Sequence, residues 1–210
     1  MLHDYDLLSE QFTGGSDQQS IVDHLDLVLP TIWQKDYLTM PSSSPNLLVV
    51  TSGDERRIGA FCRHMFDYAS DQSNPRAESL GRPTRYAEDR VVAVWGKSRY
   101  EPAQTRDTSR MKGLLRGAWS QRFRESDRGH FFAHTMGGGL DINLFPQAKS
   151  LNRGGLWRKM ETYCALNPGT FCFVRPIYAD ESWRPRQLEY GIFKIQRGDP
   201  VAFWGHVFEN

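Results

Sequence analysis

The sequence has few cysteines and no apolar run long enough to cross a membrane. Cys62, Cys164 and Cys172 form an odd set without paired metal-ligand spacing, which argues against a disulfide framework or a structural zinc and favours a reducing compartment. The start of the chain, Met1 to Asp6, lacks the basic residues and apolar run of a secretory signal. We therefore expect a protein without membrane segments that is cytoplasmic, or exported without a cleaved signal peptide.

The sequence also lacks an overall excess of one charge, because its formal net charge is only +1. The charges are nevertheless segregated: residues 106–159 carry eleven basic and four acidic residues, a net charge of +7, which leaves −6 for the remainder. A local basic excess favours a polyphosphate partner such as DNA or RNA, since phosphate contacts dominate sequence-independent binding. The alternative interpretation is a solvated basic face.

The first part of the chain shows mixed helix and strand patterns. Apolar residues at helical spacing over residues 21–28 predict a short amphipathic helix that ends before Pro30, and residues 47–50 are typical of a buried strand. A capping box then predicts a helix from about Gly53 to Tyr68. The polar stretch 70–89 indicates a linker or a long surface loop.

The second part of the chain alternates strand patterns with one clear helix. The glycine run 137–139 predicts a flexible turn, because it lacks the Lys-Ser/Thr that follows in a phosphate-binding loop. The patterns predict strands at 91–95, 129–135, 171–178, 188–195 and 201–208, a short strand or loop near 142–145, and a helix from Leu156 to about Leu166.

Four short motifs follow one another in the second part: Asp127-Arg128-Gly129-His130, Asn143 to Gln147, Leu151-Asn152-Arg153-Gly154, and Trp157 to Glu161. Hydrolysis of a phosphodiester needs a base for water, a divalent cation for the charge on the leaving oxygen, and cationic groups for the phosphate. A histidine, an amide and an arginine in this segment have the chemistry for these three functions.

In their order and residue types these motifs resemble the DNA/RNA non-specific endonucleases of the ββα-metal (His-Me finger) superfamily, over about residues 120–195. The resemblance implies an α+β protein with a ββα-metal finger on a mainly antiparallel sheet. We expect the nuclease domain at residues 91–210, and an additional N-terminal α/β region of unknown role at residues 1–90.

The resemblance also implies a role for each site residue. His130 would be the general base, because a neutral imidazole accepts a proton from water near pH 7. Asn152 would bind Mg²⁺ or Mn²⁺ directly through its amide oxygen, and Glu161 would hold metal-bound waters. Arg128 and Arg153 would bind the substrate phosphate, since a guanidinium matches phosphate oxygens.

The chain departs from the family pattern in one spacing. Asn152 and Glu161 are nine residues apart, one more than the family leads us to expect, and the glycines at 154 and 155 make the insertion easy to absorb. The family's upstream arginine stays unassigned among Arg106, Arg110, Arg116, Arg122 and Arg124.

Each candidate residue also has an ordinary structural interpretation. His130 could be a loop histidine, Asn152 only a helix cap, and Glu161 part of a solvated helix face. Asp127 is expected to anchor the motif without taking part in catalysis. His134 follows His130 by four residues, but the segment between them is typical of a strand, so we predict a structural role for it.

The resulting prediction is a Mg²⁺- or Mn²⁺-dependent endonuclease acting on DNA, RNA or both with little sequence preference. The resemblance implies products with a 5′-phosphate and a 3′-hydroxyl. A toxin-type nuclease restrained by an inhibitor (immunity) protein shares this chemistry. The alternative from another class is a catalytically impaired nucleic-acid-binding or interaction protein that retains the fold.

Overall fold

A computed structural model describes residues 3–12, 17–37, 47–51, 56–67, 85–100, 126–138, 143–179, 184–196 and 199–210. The helices are α1 (Tyr5–Ser9), α2 (Gln18–Tyr37), α3 (Lys149–Arg153) and α4 (Gly155–Leu166). The strands are β1 (Leu47–Thr51), β2 (Arg56–Asp67), β3 (Arg85–Lys97), β4 (Ser126–His130), β5 (Leu144–Ala148), β6 (Phe171–Ile177), β7 (Gln187–Lys194) and β8 (Ala202–Glu209).

Most of these strands form one six-stranded sheet in the order β1-β2-β3-β6-β7-β8, while β4 and β5 pair separately. Every strand pair in the described part of the chain is antiparallel. The predicted α+β class with a mainly antiparallel sheet is therefore confirmed. The ββα-metal finger and the division of the chain at residue 90 stay predictions.

The sheet has an apolar core on each face, because successive side chains of a strand point to opposite sides. In β6, Phe171 and Phe173 pack toward α1 and α2, in a cluster that includes Leu25 and Trp33. Cys172 and Val174, which alternate with them along the strand, pack on the other face, toward α4, β4 and β5. The four sequence motifs therefore lie on one face of the sheet, and the N-terminal helices lie on the other.

A buried polar network joins the N-terminal helices to the sheet. Arg175 Nη1 lies 2.8 Å from Glu189 Oε2, with side chains 5% and 2% exposed. Tyr5 Oη accepts hydrogen bonds from Arg175 and from Trp33 Nε1. Burial, and after it the charge of Glu189, raises the pKa of Tyr5, so the phenol is a neutral hydrogen-bonding group at neutral pH.

The predicted helix at 53–68 is wrong, because residues 56–67 form β2. This strand pairs with β3 from Arg56 opposite Gly96 to Asp67 opposite Arg85, with irregularities between Gly59 and Ala60 and again after Phe61. Bulges interrupt the alternation of a strand, so the apolar residues lose their period of two and mimic helical spacing. The proposed capping residues 52–55 lie outside the described part of the chain.

Two further boundaries differ from the predictions. Helix α2 continues through Pro30 to Tyr37, because its buried face extends on both sides of the proline, with Leu25 and Leu29 before it and Trp33 after it. Packing of that face on the sheet outweighs the one backbone hydrogen bond that proline removes. The predicted linker at 70–89 overlaps β3, which begins at Arg85, and residues 68–84 lie outside the described part.

The predicted strand at 129–135 is also shorter than expected, since β4 ends at His130 and a 3-10 turn occupies residues 134–136. The chain leaves the strand because the Asn143 side chain takes over the backbone hydrogen bonds of Phe132. Asn143 Oδ1 accepts from Phe132 N at 2.9 Å, and Asn143 Nδ2 donates to Phe132 O at 2.8 Å. The expected turn at the glycine run is present at Gly137, whose φ is +92°.

Of the remaining predictions, the strand at 47–50 is β1, the strand at 91–95 is the last part of a longer β3, and the strand or loop near 142–145 overlaps the start of β5. The helix expected from Leu156 to about Leu166 is α4, and the last three predicted strands are β6, β7 and β8. No helix within the described residues has the length and apolarity to span a membrane.

Candidate active site

The predicted site residues come together in one cavity of about 500 Å³ on the face of the sheet that carries the four motifs. Strand β4, the turn after it, and helices α3 and α4 all contribute to its walls. The lining residues are Asp127, Arg128, His130, Ala133, His134, Thr135, Asn152, Arg153, Arg158 and Glu161. The cavity therefore contains all five residues that the sequence assigns to base, phosphate and metal roles.

His130 is held at the end of β4 and is only 8% exposed. The next residue, Phe131, stacks on Phe145 of β5 with ring centroids 4.2 Å apart, and its backbone N–H donates to Asn143 O at 3.0 Å. These contacts fix the backbone immediately after the histidine, so His130 lines the cavity from a well-held position.

The glycine of the first motif is required by close packing. Residue Gln147 is fully buried and lies against Gly129, so that a Cβ on Gly129 would come within 2.3 Å of Gln147 Oε1. No side chain fits in that space. The glycine therefore allows β4 and β5 to carry His130 and Gln147 in the same small sheet.

Asp127 connects β4 to α3. Its Oδ2 accepts a hydrogen bond from Asn152 Nδ2 at 3.0 Å, and its two oxygens accept from Arg153 Nε at 2.7 Å and Arg153 Nη2 at 2.8 Å. The Arg153 hydrogen bonds, together with that of Asn152, lower the pKa of Asp127 below its usual value. Asp127 is therefore ionised at neutral pH, and it positions two of the predicted site residues.

This contact orients the Asn152 amide. Since its nitrogen donates to Asp127, its oxygen points away from that carboxylate and is the atom left for a cation. Arg153 is exposed over 65% of its side chain, and its guanidinium is already neutralised by Asp127. Arg153 therefore braces Asp127 in this structure in addition to lining the cavity.

Glu161 enters the cavity from α4 with a side chain that is 6% exposed. Its Oε1 accepts from Trp157 Nε1 at 2.9 Å, and its Oε2 is paired with Arg158. Trp157 is completely buried and packs edge-on against Tyr190 and Phe208. The i, i+4 spacing of the fourth motif thus places a buried indole under the carboxylate and fixes its direction.

Arg128 lines the same cavity from β4 and is half-buried. Burial lowers its pKa, but a guanidinium remains protonated near neutral pH. A cation partly removed from water interacts more strongly with a phosphate than a fully exposed one does. Arg128 thus has the position and the charge to bind a substrate phosphate beside His130.

The segment where the extra residue between Asn152 and Glu161 is expected forms a break between two helices. Helix α3 ends at Arg153, Gly154 is extended, and α4 begins at Gly155, whose φ is +69°. Asn152 therefore belongs to α3 and Glu161 to α4, and the chain turns between them. The proposal that the glycines absorb the insertion agrees with this left-handed residue, because L side chains disfavour that backbone conformation.

Replacing Gly155 with alanine is expected to lower the free energy of unfolding by about 1–2 kcal/mol, the approximate cost of a left-handed conformation for a residue with a Cβ. Gly154→Ala is a matched control, because a Cβ at either glycine would meet no atom of the described residues within 4 Å, and of the two only Gly155 has a positive φ. Urea unfolding of both variants measures the difference. Equal stabilities would show that the turn does not need a left-handed residue.

His134 and Arg158 are among the cavity residues that were not predicted to belong to the site. His134, expected to be structural, lies in the 3-10 turn on the cavity wall and is 9% exposed. Arg158 pairs with Glu161, and its spacing of three residues before that glutamate on a predicted helix is the signal that would have identified it. Residues 101–125, which hold the candidates for the upstream arginine, lie outside the described part.

The donors present suit a hydrated divalent cation. The cavity offers the oriented amide oxygen of Asn152 and the carboxylate of Glu161, which are oxygen donors of the type that Mg²⁺ and Mn²⁺ prefer. Among the described residues no group of three His, Cys, Asp or Glu side chains could hold a metal. A cation held by these two side chains would take its remaining ligands from water and phosphate.

Comparison with known proteins gives one family. A family model described as DNA/RNA non-specific endonuclease matches residues 70–195, more than half of the chain. No curated protein matches the chain. Among solved structures, an "extracellular nuclease" is similar with 14% sequence identity, a TM-score of 0.37, and coverage of 80% of this chain and 90% of that chain. A TM-score of this size is too low to establish a common fold.

Proposed function

Because the chain belongs to the DNA/RNA non-specific endonuclease family, we propose that it is a divalent-metal-dependent endonuclease that hydrolyses phosphodiester bonds of DNA, RNA or both with little sequence preference. One observation carries the proposal. A single cavity is lined by His130, Arg128, Asn152 and Glu161, which belong to three separate elements. These residues supply a base, a phosphate-binding cation and oxygen donors in one place.

In the proposed mechanism, His130 takes a proton from the attacking water. The rigid end of β4 holds the imidazole beside Arg128, so a phosphate bound by the guanidinium is presented to the base. Arg128 holds the phosphate before the reaction and stabilises the charge that develops on it. Arg153 at the cavity rim is available as a second phosphate contact, at the expense of its ion pair with Asp127.

Asn152 and Glu161 would hold the Mg²⁺ or Mn²⁺ ion in this proposal. When bound, such an ion neutralises charge on the phosphodiester and on the leaving 3′-oxygen. Both Glu161 oxygens already accept hydrogen bonds from Trp157 and Arg158, which suits contact with metal-bound waters better than direct ligation. Asn152 would supply the direct contact through its oriented oxygen.

The proposal is tested by incubating the purified protein with supercoiled plasmid and with a folded RNA, in Mg²⁺, in Mn²⁺ and in EDTA. We expect nicking of at least one substrate with a divalent metal, no nicking in EDTA, and products with a 5′-phosphate and a 3′-hydroxyl. If the protein cleaves neither substrate in either metal but still binds nucleic acid, the result would instead support the catalytically impaired nucleic-acid-binding protein.

A further inference from the structure

One exposed face of α4 leads away from the cavity. Successive helix residues are about 100° apart, so Arg158, Thr162, Lys159 and Tyr163 follow one another in that order across about 140° of the helix surface. Arg158, Lys159 and Thr162 are exposed, and Tyr163 is half-buried. Arg158 itself lines the cavity, so this surface begins at the proposed active site.

The far end of this face is an aromatic pair with a lysine. The rings of Tyr163 and Trp204 lie edge-to-face, with centroids 5.8 Å apart. Lys194 Nζ lies 5.1 Å from the Tyr163 ring centroid and 4.9 Å from that of Trp204. All three residues are half-buried, so the apolar core supports the two rings while part of each side chain remains accessible.

We call this surface the helix track; its residues are Arg158, Lys159, Thr162, Tyr163, Lys194 and Trp204. It carries three cationic side chains. The neighbouring carboxylate, Glu161, is 6% exposed and paired with Arg158, so these two charges offset each other and Lys159 and Lys194 supply the positive charge of the surface. Cationic side chains beside half-buried aromatic rings are typical of surfaces that bind single-stranded nucleic acid without sequence preference. Phosphates pair with the cations, and any base can stack on an aromatic ring.

We propose that the helix track binds the nucleic-acid strand on one side of the bond being cleaved, with phosphates on Lys159 and Lys194 and a base on the Tyr163–Trp204 pair. The proposal rests on the proposed function of the cavity and extends it to a single-stranded substrate. Crossing the helix covers about 10 Å. At the stacked spacing of about 3.4 Å per nucleotide that one strand has in a duplex, that distance corresponds to about three nucleotides, and an extended single strand would place fewer there.

The test measures binding separately from cleavage. Fluorescence anisotropy with a labelled 12-nucleotide single strand is recorded in EDTA at several salt concentrations. For the double variant Lys159→Gln/Lys194→Gln we expect Kd to rise about tenfold, and the slope of log Kd against log salt to fall by about 1.4, or about 0.7 per lost phosphate contact. Tyr163→Ala should weaken binding about five- to tenfold with an unchanged salt slope.

Arg186→Gln is the matched control, because Arg186 is exposed and lies just before β7, whereas Lys194 is the last residue of that strand. Hydrolysis of a nitrophenyl phosphodiester, too small to extend beyond the cavity, should be unchanged in the double variant. A double variant that binds the strand as tightly as Arg186→Gln would overturn the proposal, as would equal losses of binding and of small-diester hydrolysis. A wild-type protein that binds through the track without cleaving would refute the endonuclease and leave the track standing.

Discussion

Replacing His130 with alanine is expected to reduce kcat for nucleic-acid cleavage by about 10²–10⁴-fold, the usual contribution of a general base. The imidazole is buried to 8% exposure at the end of β4, and its neighbours Phe131 and Asn143 fix the backbone around it. Initial rates of plasmid nicking and of RNA cleavage at saturating Mg²⁺ measure the loss.

His134→Ala provides a control from the same cavity wall, since His134 is buried to a similar extent, at 9% exposure. We expect this variant to keep most of the activity, within about tenfold of the wild type, because general-base catalysis assigned to His130 does not require it. If His134→Ala lost the larger part of the activity and His130→Ala kept it, the base would be His134 and the sequence motif would have been misinterpreted.

Replacing Asp127 with alanine is expected to raise the Mg²⁺ concentration for half-maximal activity by about 10–100-fold, the usual effect of removing a residue that orients a metal ligand. Asp127 accepts the hydrogen bond of the Asn152 nitrogen at 3.0 Å and thereby directs the amide oxygen away from itself. Without that acceptor the amide can rotate, and its nitrogen can face the cation. Mg²⁺ titrations of the cleavage rate, and of Mg²⁺ binding by calorimetry, report the change.

Two variants separate this orientation from the ion pair on the same carboxylate. Asp127→Asn keeps an oxygen that can accept from Asn152 but loses the charge that Arg153 pairs with, and Arg153→Ala removes only the arginine. We expect Asp127→Asn to lie closer to wild type than Asp127→Ala. An equal rise in the Mg²⁺ requirement for Arg153→Ala and Asp127→Ala would assign the effect to the ion pair, against our interpretation.

Local sequence patterns were sufficient to predict a helix or strand wherever its apolar residues have one strong period and turn residues mark its ends. Helix α4 and strands β6, β7 and β8 agree with their predicted ranges, because their apolar residues keep one period and turn residues separate them. Strand β2 was predicted to be a helix from the capping-box pattern that precedes it, and its bulges break the alternation that would have identified a strand. Helix α2 was predicted to end before Pro30, because proline disfavours the interior of a helix. The packing on the sheet that lets the helix continue cannot be read from the segment itself.

The sequence by itself determined which chemical groups are available for the proposed reaction on a phosphodiester, since His130, Arg128, Asn152 and Glu161 come from three of four ordered motifs. Only the tertiary structure decided how they are held. The hydrogen bond from Asn152 to Asp127 joins residues 25 positions apart, and His134 and Arg158 join the cavity through the turn after β4 and the start of α4. Motif spacing shows only which residues are close in the sequence. These contacts depend on how β4, α3 and α4 pack on the sheet.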